Sequence, residues 1–227
     1  MQNKNKPNIS QADSTNKTTS ASHHSGGAFS SPHCGTASAI GTPPKPTDIN
    51  SLIIYGEGYA KSVMSQLGRV QAIMLALTRE GNLLQHKSGD FLNEYDKDLF
   101  EHVCRLLCVA KEVTCTVMVL ECWMARNKPG DPAERPSEAL DRKEIVLVVG
   151  ENFTGQTVRL HPVIRTGIED FFGFGEVQEI PPDGSEGRFI GMLPRKKPTF
   201  DARRKALAQL TALGVSIQSC EPPYVPQ

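Results

Sequence analysis

Charge of one sign is what this sequence lacks first: 25 Lys and Arg stand against 25 Asp and Glu in 227 residues, a formal net charge of zero. A chain that coats nucleic acid over its whole surface is visibly basic and a solvating acidic chain visibly acidic, so the balance excludes both classes. Long apolar runs are missing too, since no window approaches the roughly 18 consecutive apolar residues of a membrane-spanning helix. No membrane partner is expected. Lys4 and Lys6 are followed by no apolar stretch, unlike a secretory signal, and the expected location is cytoplasmic.

Signatures of cofactor chemistry are equally scarce. There is no phosphate-binding loop, and Gly173-Phe174-Gly175 is too short for a dinucleotide fingerprint and follows no strand that opens a helix. No cofactor and no metal are expected. Of the six cysteines, Cys104, Cys108, Cys115 and Cys122 fall in apolar periodic segments, whereas Cys34 and Cys220 lie near the two ends. Reduced cysteine behaves as a small hydrophobe in such segments, so free thiols are favoured over a disulfide framework. Cys104 and Cys108 share one helix face, and Cys115 and Cys122, seven residues apart on a strand, point to opposite sides, which is core packing rather than ligation. His23, His24, His33 and Cys34 match no zinc module.

What the chain does contain divides it. Residues 1–48 are Ser, Thr, Asn, Gly, Lys and Pro with few apolar side chains, too little to offset the ordering entropy, and read as a disordered low-complexity tail. Residues 49–194 read as an α+β domain, 195–219 as a basic C-terminal helix packed on it, and 220–227 as an irregular tail. Within the domain, 51–68 is ambiguous between strand (Leu52-Ile53-Ile54) and helix. Two apolar runs, 70–77 and 83–86, flank Gly81 and predict a β-hairpin, with a helix over 70–77 as the alternative. Leu92, Leu99, Val103, Leu106, Leu107 and Ala110 recur at helical spacing, and Asn93 with Asp96 marks a start, so a helix is predicted over 94–111.

Residues 114–125, β-branched and apolar on both faces, predict a central strand carrying Trp123 as a core anchor. A Pro-rich loop over 127–142 separates it from an apolar strand at 144–150. Strand 156–165 alternates apolar and polar residues, and Pro162, lacking a donor, assigns it to the sheet edge. A glycine-rich aromatic stretch follows, then a short strand over 188–193. A terminal helix over 200–213 sets Ala202, Ala206, Leu207, Leu210 and Leu213 on one side and stops at Gly214. The sum is an α+β fold with a mainly antiparallel sheet: hairpin, helix, three-stranded meander and C-terminal helix.

Two passages, Glu121-Cys122-Trp123-Met124-Ala125 and Arg135-Pro136-Ser137-Glu138-Ala139-Leu140-Asp141-Arg142-Lys143-Glu144 running into Ile145-Val146-Leu147-Val148-Val149, carry a resemblance. The region 70–165 resembles a loose group of uncharacterised proteins from bacteriophages, prophages and plasmids, with a Glu-x-Trp strand end and a Pro-Ser loop leading to Asp-Arg-x-Glu. The resemblance implies a mobile-element accessory protein in a bacterial host cell and carries no activity with it.

Four groups of residues invite a chemical reading. Glu121 sits at period two with Cys115, Val117, Val119 and Trp123, a carboxylate on an apolar face that must reach water, be protonated or meet a cation. Among Arg126, Arg142 and Lys143, Arg142 is the expected partner, because a guanidinium holds a carboxylate with two bonds. That pair is structural; the competing reading is a pocket of a small hydrolase-like enzyme around Glu121, Asp141, Arg142 and His161. Ser137, Asp141 and His161 have the residue types of a hydrolytic triad, but Ser137 lies in Arg-Pro-Ser-Glu and not on a strained glycine elbow. Arg195, Lys196, Lys197, Arg203, Arg204 and Lys205 surround Asp201 where the last helix begins, and cations there oppose the helix dipole. They are the expected contacts to a partner or to nucleic acid, although only Phe200 is interleaved for base stacking. The resulting expectation leans away from an enzyme, toward a non-enzymatic protein that binds an unidentified macromolecule.

Overall fold

A computed structural model of the chain describes residues 44–125, 138–167, 170–181 and 187–215, all within the unit Gly41–Gln227. The expectations for residues 1–43, for Ser137 and for the irregular C-terminal tail with Cys220 lie outside the described residues.

Helix α1 (Ile49–Leu67) resolves the ambiguous opening. The Asp48 carboxylate accepts from Ser51 N at 2.8 Å while Ser51 Oγ accepts from Asp48 N at 3.0 Å, a reciprocal cap that fixes the start. Gly68, at φ 68°, ends it with its N–H on the Met64 carbonyl, a conformation glycine adopts without steric cost. Leu52, Ile53, Gly56, Ala60 and Met64 form the buried stripe, and Ile54 of the apolar triplet is left 66% exposed.

Strands β1 (Ile73–Thr78) and β2 (Leu83–Lys87) form the expected hairpin. Helix α2 (Glu94–Ala110) begins as predicted, with Asn93 Oδ1 accepting from Asp96 N at 3.0 Å and Asp96 returning the bond to Asn93 N. Strands β3 (Val113–Met124), β4 (Lys143–Asn152) and β5 (Gly155–Thr166) make the antiparallel meander. Strands β6 (Asp170–Phe174) and β7 (Gln178–Ile180) both pair with β5, and helix α3 (Phe200–Ala212) closes the described chain. The sheet runs β2-β1-β3-β4-β5-β6, with β7 also on β5, and every pairing is antiparallel. The fold is α+β.

Alternation along β3 divides the core into two layers. Cys115, Val117 and Val119 pack with Ile73, Leu75, Val146 and Val148 under α1. Met118 and Leu120 face the other way, with Met74, Ala76 and Val149, under α2 and α3. On the α1 side the approach is close: a Cβ on Gly150 of β4 would lie 2.6 Å from Ile53 Cδ1, and one on Gly56 would lie 3.0 Å from Val117 Cγ1. Glycine at both places lets the helix settle onto the sheet.

Several expectations are corrected. Strand β5 is interior: β7 covers Val158–Leu160 and β6 covers Val163–Thr166. Pro162 falls between the two, where it needs no donor, and its carbonyl accepts from Gly175 N at 2.8 Å. The aromatic stretch at 170–174 is a strand, and 188–193 is irregular, held by side chains instead of a ladder. Of the predicted α3 stripe, Ala206 and Leu210 are buried, while Leu207 and Leu213 remain exposed. Leu92 precedes α2 and is also exposed.

Candidate functional site

The basic segment before α3 is fixed at one end of the sheet by bonds that its own sequence does not reveal. Glu151, near the end of β4, accepts from Met192 N at 2.7 Å and Leu193 N at 3.2 Å. Arg105 of α2 donates to the carbonyls of Gly191 and Ile190. Met192 and Leu193 are buried, so the chain emerges from the core directly into Arg195, Lys196 and Lys197. Thr199 caps α3, its Oγ1 accepting from Ala202 N at 3.2 Å, and Ala206 and Leu210 anchor that helix in the layer under α2.

Two turns bring further groups to the same place. A cavity of about 300 Å³ is lined by Arg195, Lys197 and Pro198, by Arg79 after β1, by Glu112 before β3 and by Phe153 from the β4–β5 turn. Asn152 Oδ1 accepts from Thr154 N, Thr154 Oγ1 and Gly155 N at 2.8, 2.8 and 2.9 Å, which fixes this tight turn and holds Phe153 at its tip, 59% exposed. Arg203 Nη1 lies 2.5 Å from Glu112 Oε2, and Arg79 Nη1 lies 3.9 Å from Oε1 of the same carboxylate. The Glu112 backbone adopts φ 47° and its carbonyl accepts from Arg79 N at 3.0 Å.

The six predicted cations therefore separate into different roles. Arg203 is neutralised by Glu112 and lies 5.9 Å from the Phe200 ring, with its buried Nε lacking an acceptor among the described residues. Arg204 meets Asp201 at 3.4 Å, an exposed pair of small energetic weight. Arg195, Lys196, Lys197 and Lys205 are exposed and make no ion pair among the described residues. Sequence reasoning missed Arg79 and Phe153. The signal for Phe153 was present: an aromatic residue at the centre of the polar turn Asn-Phe-Thr-Gly has no core to enter.

A second and larger cavity, about 560 Å³, lies at the opposite end of β3, where β1 parts from it. The β1 ladder stops at Ile73 opposite Val119, although β3 continues to Met124. Glu121 bridges the gap, its Oε2 accepting from Val70 N at 2.6 Å. This corrects the expected Glu121–Arg142 pair. The β3–β4 register sets Met124 opposite Lys143, so Arg142 lies beyond the strand end and covers the Trp123 ring instead, at 4.8 Å. Trp123 is 43% exposed and is not a core anchor. Burial raises the Glu121 carboxyl above its usual range, against the Val70 bond, and the Glu144 charge pushes the same way. The cations at this cleft are answered locally: Arg69 by Asp90 at 3.4 Å, Lys97 by Glu94 at 2.6 Å, and Arg188 by Glu94 and Asp98 at 2.7 and 3.0 Å.

The residues of the enzyme reading do not converge. Val146 stands between Glu121 and His161 in one cross-strand row, a separation of about 10 Å between backbones. His161 is buried beside Glu57, its Nε2 3.2 Å from Oε1, and burial holds its pKa below the ordinary histidine range despite that carboxylate. Neither Asp141 nor Arg142 nor His161 lines the cavity that Glu121 borders. Among the described residues no group of three His, Cys, Asp or Glu side chains is placed to hold a metal, and Cys104, Cys108, Cys115 and Cys122 are free thiols. No helix among them is long and apolar enough to cross a membrane.

Comparison with known protein families, with curated proteins and with solved structures finds no match to this chain.

Proposed function

We propose that this chain is a non-enzymatic binding protein that takes the phosphate backbone of nucleic acid onto the cationic end of its sheet. The observation that carries the reading is the unneutralised run Arg195-Lys196-Lys197, held beside Arg79 by the bonds of Glu151 and Arg105. Charges already answered by neighbouring carboxylates, as around the larger cleft, offer a polyanion little. Free cations on a fixed segment release counterions when they meet phosphates, the main source of sequence-independent affinity. The resemblance to phage, prophage and plasmid proteins adds a context, an accessory protein of a mobile element acting in the cytoplasm of a bacterial host.

The test is fluorescence anisotropy with a labelled oligonucleotide at low salt, comparing the parent chain with the triple variant Arg195→Glu, Lys196→Glu, Lys197→Glu. All three side chains are exposed, so circular dichroism should be unchanged. The reading expects binding by the parent chain and a loss of about tenfold or more in the variant; equal affinity of the two, or no binding by the parent chain, refutes it.

A further inference from the structure

We infer that the cationic end recognises single-stranded rather than double-stranded nucleic acid, with Phe153 as the platform on which an unpaired base stacks; this rests on the nucleic-acid reading above. The chain exposes an aromatic side chain at a turn held by other residues' bonds. Phe153 occupies a tight turn held by three hydrogen bonds to Asn152 Oδ1, none of which involves its own side chain, so the turn does not require a phenyl ring there. Phe153 is 59% exposed and shares a cavity with Arg79, Arg195 and Lys197. Aromatic faces combined with a backbone-tracking row of cations are the physical requirements for holding a strand whose bases are free. In a duplex the same bases are hidden in the stack, and a ring at the protein surface gains nothing from them. At about 300 Å³ the cavity stands at the small end of ligand-binding clefts, a size suited to one inserted group. Phe200, three residues beyond Lys197 and 71% exposed, supplies a second ring beside the same segment.

Glu112 fits this arrangement as its electrostatic boundary. Its carboxylate pairs with Arg203 and lies 3.9 Å from Arg79, leaving Arg195 and Lys197 as the cavity's cations without a carboxylate partner among the described residues.

The experiment compares a labelled oligothymidylate, a labelled strand of the same length in which every base is absent, and a labelled duplex, each against the parent chain, Phe153→Ala and Phe153→Trp. Phe153→Ala is expected to weaken oligothymidylate binding about tenfold, the scale of one base–aromatic stack, and to leave the abasic strand and the duplex unchanged. Phe153→Trp is expected to retain or tighten oligothymidylate binding. Equal loss on all three ligands, or no loss on any, overturns the stacking assignment while leaving phosphate binding intact. Failure of the parent chain to bind any of the three overturns the underlying reading as well.

Discussion

Replacing Glu121 separates two effects that its carboxylate combines. Its Oε2 is the acceptor for the N–H of Val70, a residue only 6% exposed. Glu121→Ala leaves that N–H without a partner, at a cost of about 1–3 kcal/mol, equivalent in a chain of this size to roughly 2–12 °C in Tm. Glu121→Gln retains an acceptor oxygen and removes the charge that burial and Glu144 disfavour. Because the folded-state pKa is raised above the unfolded one, the folded chain takes up the proton first as pH falls. The ionised carboxylate thus weakens the fold above the folded pKa, and the penalty fades as pH drops through that value toward the unfolded one. Urea unfolding followed by Trp123 fluorescence should rank Gln at or above the parent chain at neutral pH, with Ala below both. The advantage of Gln should shrink as the pH approaches about 4. Equal stability of Ala and Gln at neutral pH would refute the bridging role, and an advantage of Gln that grows on acidification would refute the stated direction of the pKa.

Two further outcomes test the layers on either side of the sheet. Gly150→Ala should destabilise the fold by about 1–3 kcal/mol through overpacking against Ile53; adding Ile53→Ala should give less than the sum of the two losses, as read by thermal melting. Burial pushes Cys108 up to about 12, Cys122 up to about 11, and Cys104 and Cys115 upward as well. Iodoacetamide should therefore label none of these four at the rate of an open thiol in the native chain at about pH 8, and all of them in urea, as read by peptide mass mapping.

The parts of the fold legible in the sequence were those whose causes are local. Asn93 and Asp96 cap α2 through a three-residue spacing, and β3 is rich in β-branched residues, Val113, Thr114, Thr116, Val117 and Val119. Helix α1 was obscured because Leu52-Ile53-Ile54 has strand character and Gly56 weakens a helix. The close approach to Val117 and Val119 on a distant strand explains that glycine. Pro162 suggested an edge, yet a strand can be edge-like at one residue and paired on both sides of it. The candidate site divides the same way. The cationic run is contiguous and was visible, but Arg79 and Phe153 reach it through turns far away in sequence. Glu121 was recognisable as a carboxylate on an apolar face; its partner, a backbone N–H, leaves no mark in the sequence.

The central claim, that unneutralised cations at one end of the sheet hold nucleic acid, is tested most directly by the salt dependence of oligothymidylate binding. Each phosphate neutralised contributes about −0.7 to the slope of log K against log salt for a single strand. Arg195, Lys196 and Lys197, the exposed run without a carboxylate partner among the described residues, predict a slope near −2. Reversing the charges of Arg195, Lys196 and Lys197 should flatten it by about 2. A slope near zero in the parent chain, or one that the triple reversal leaves unchanged, would contradict the account.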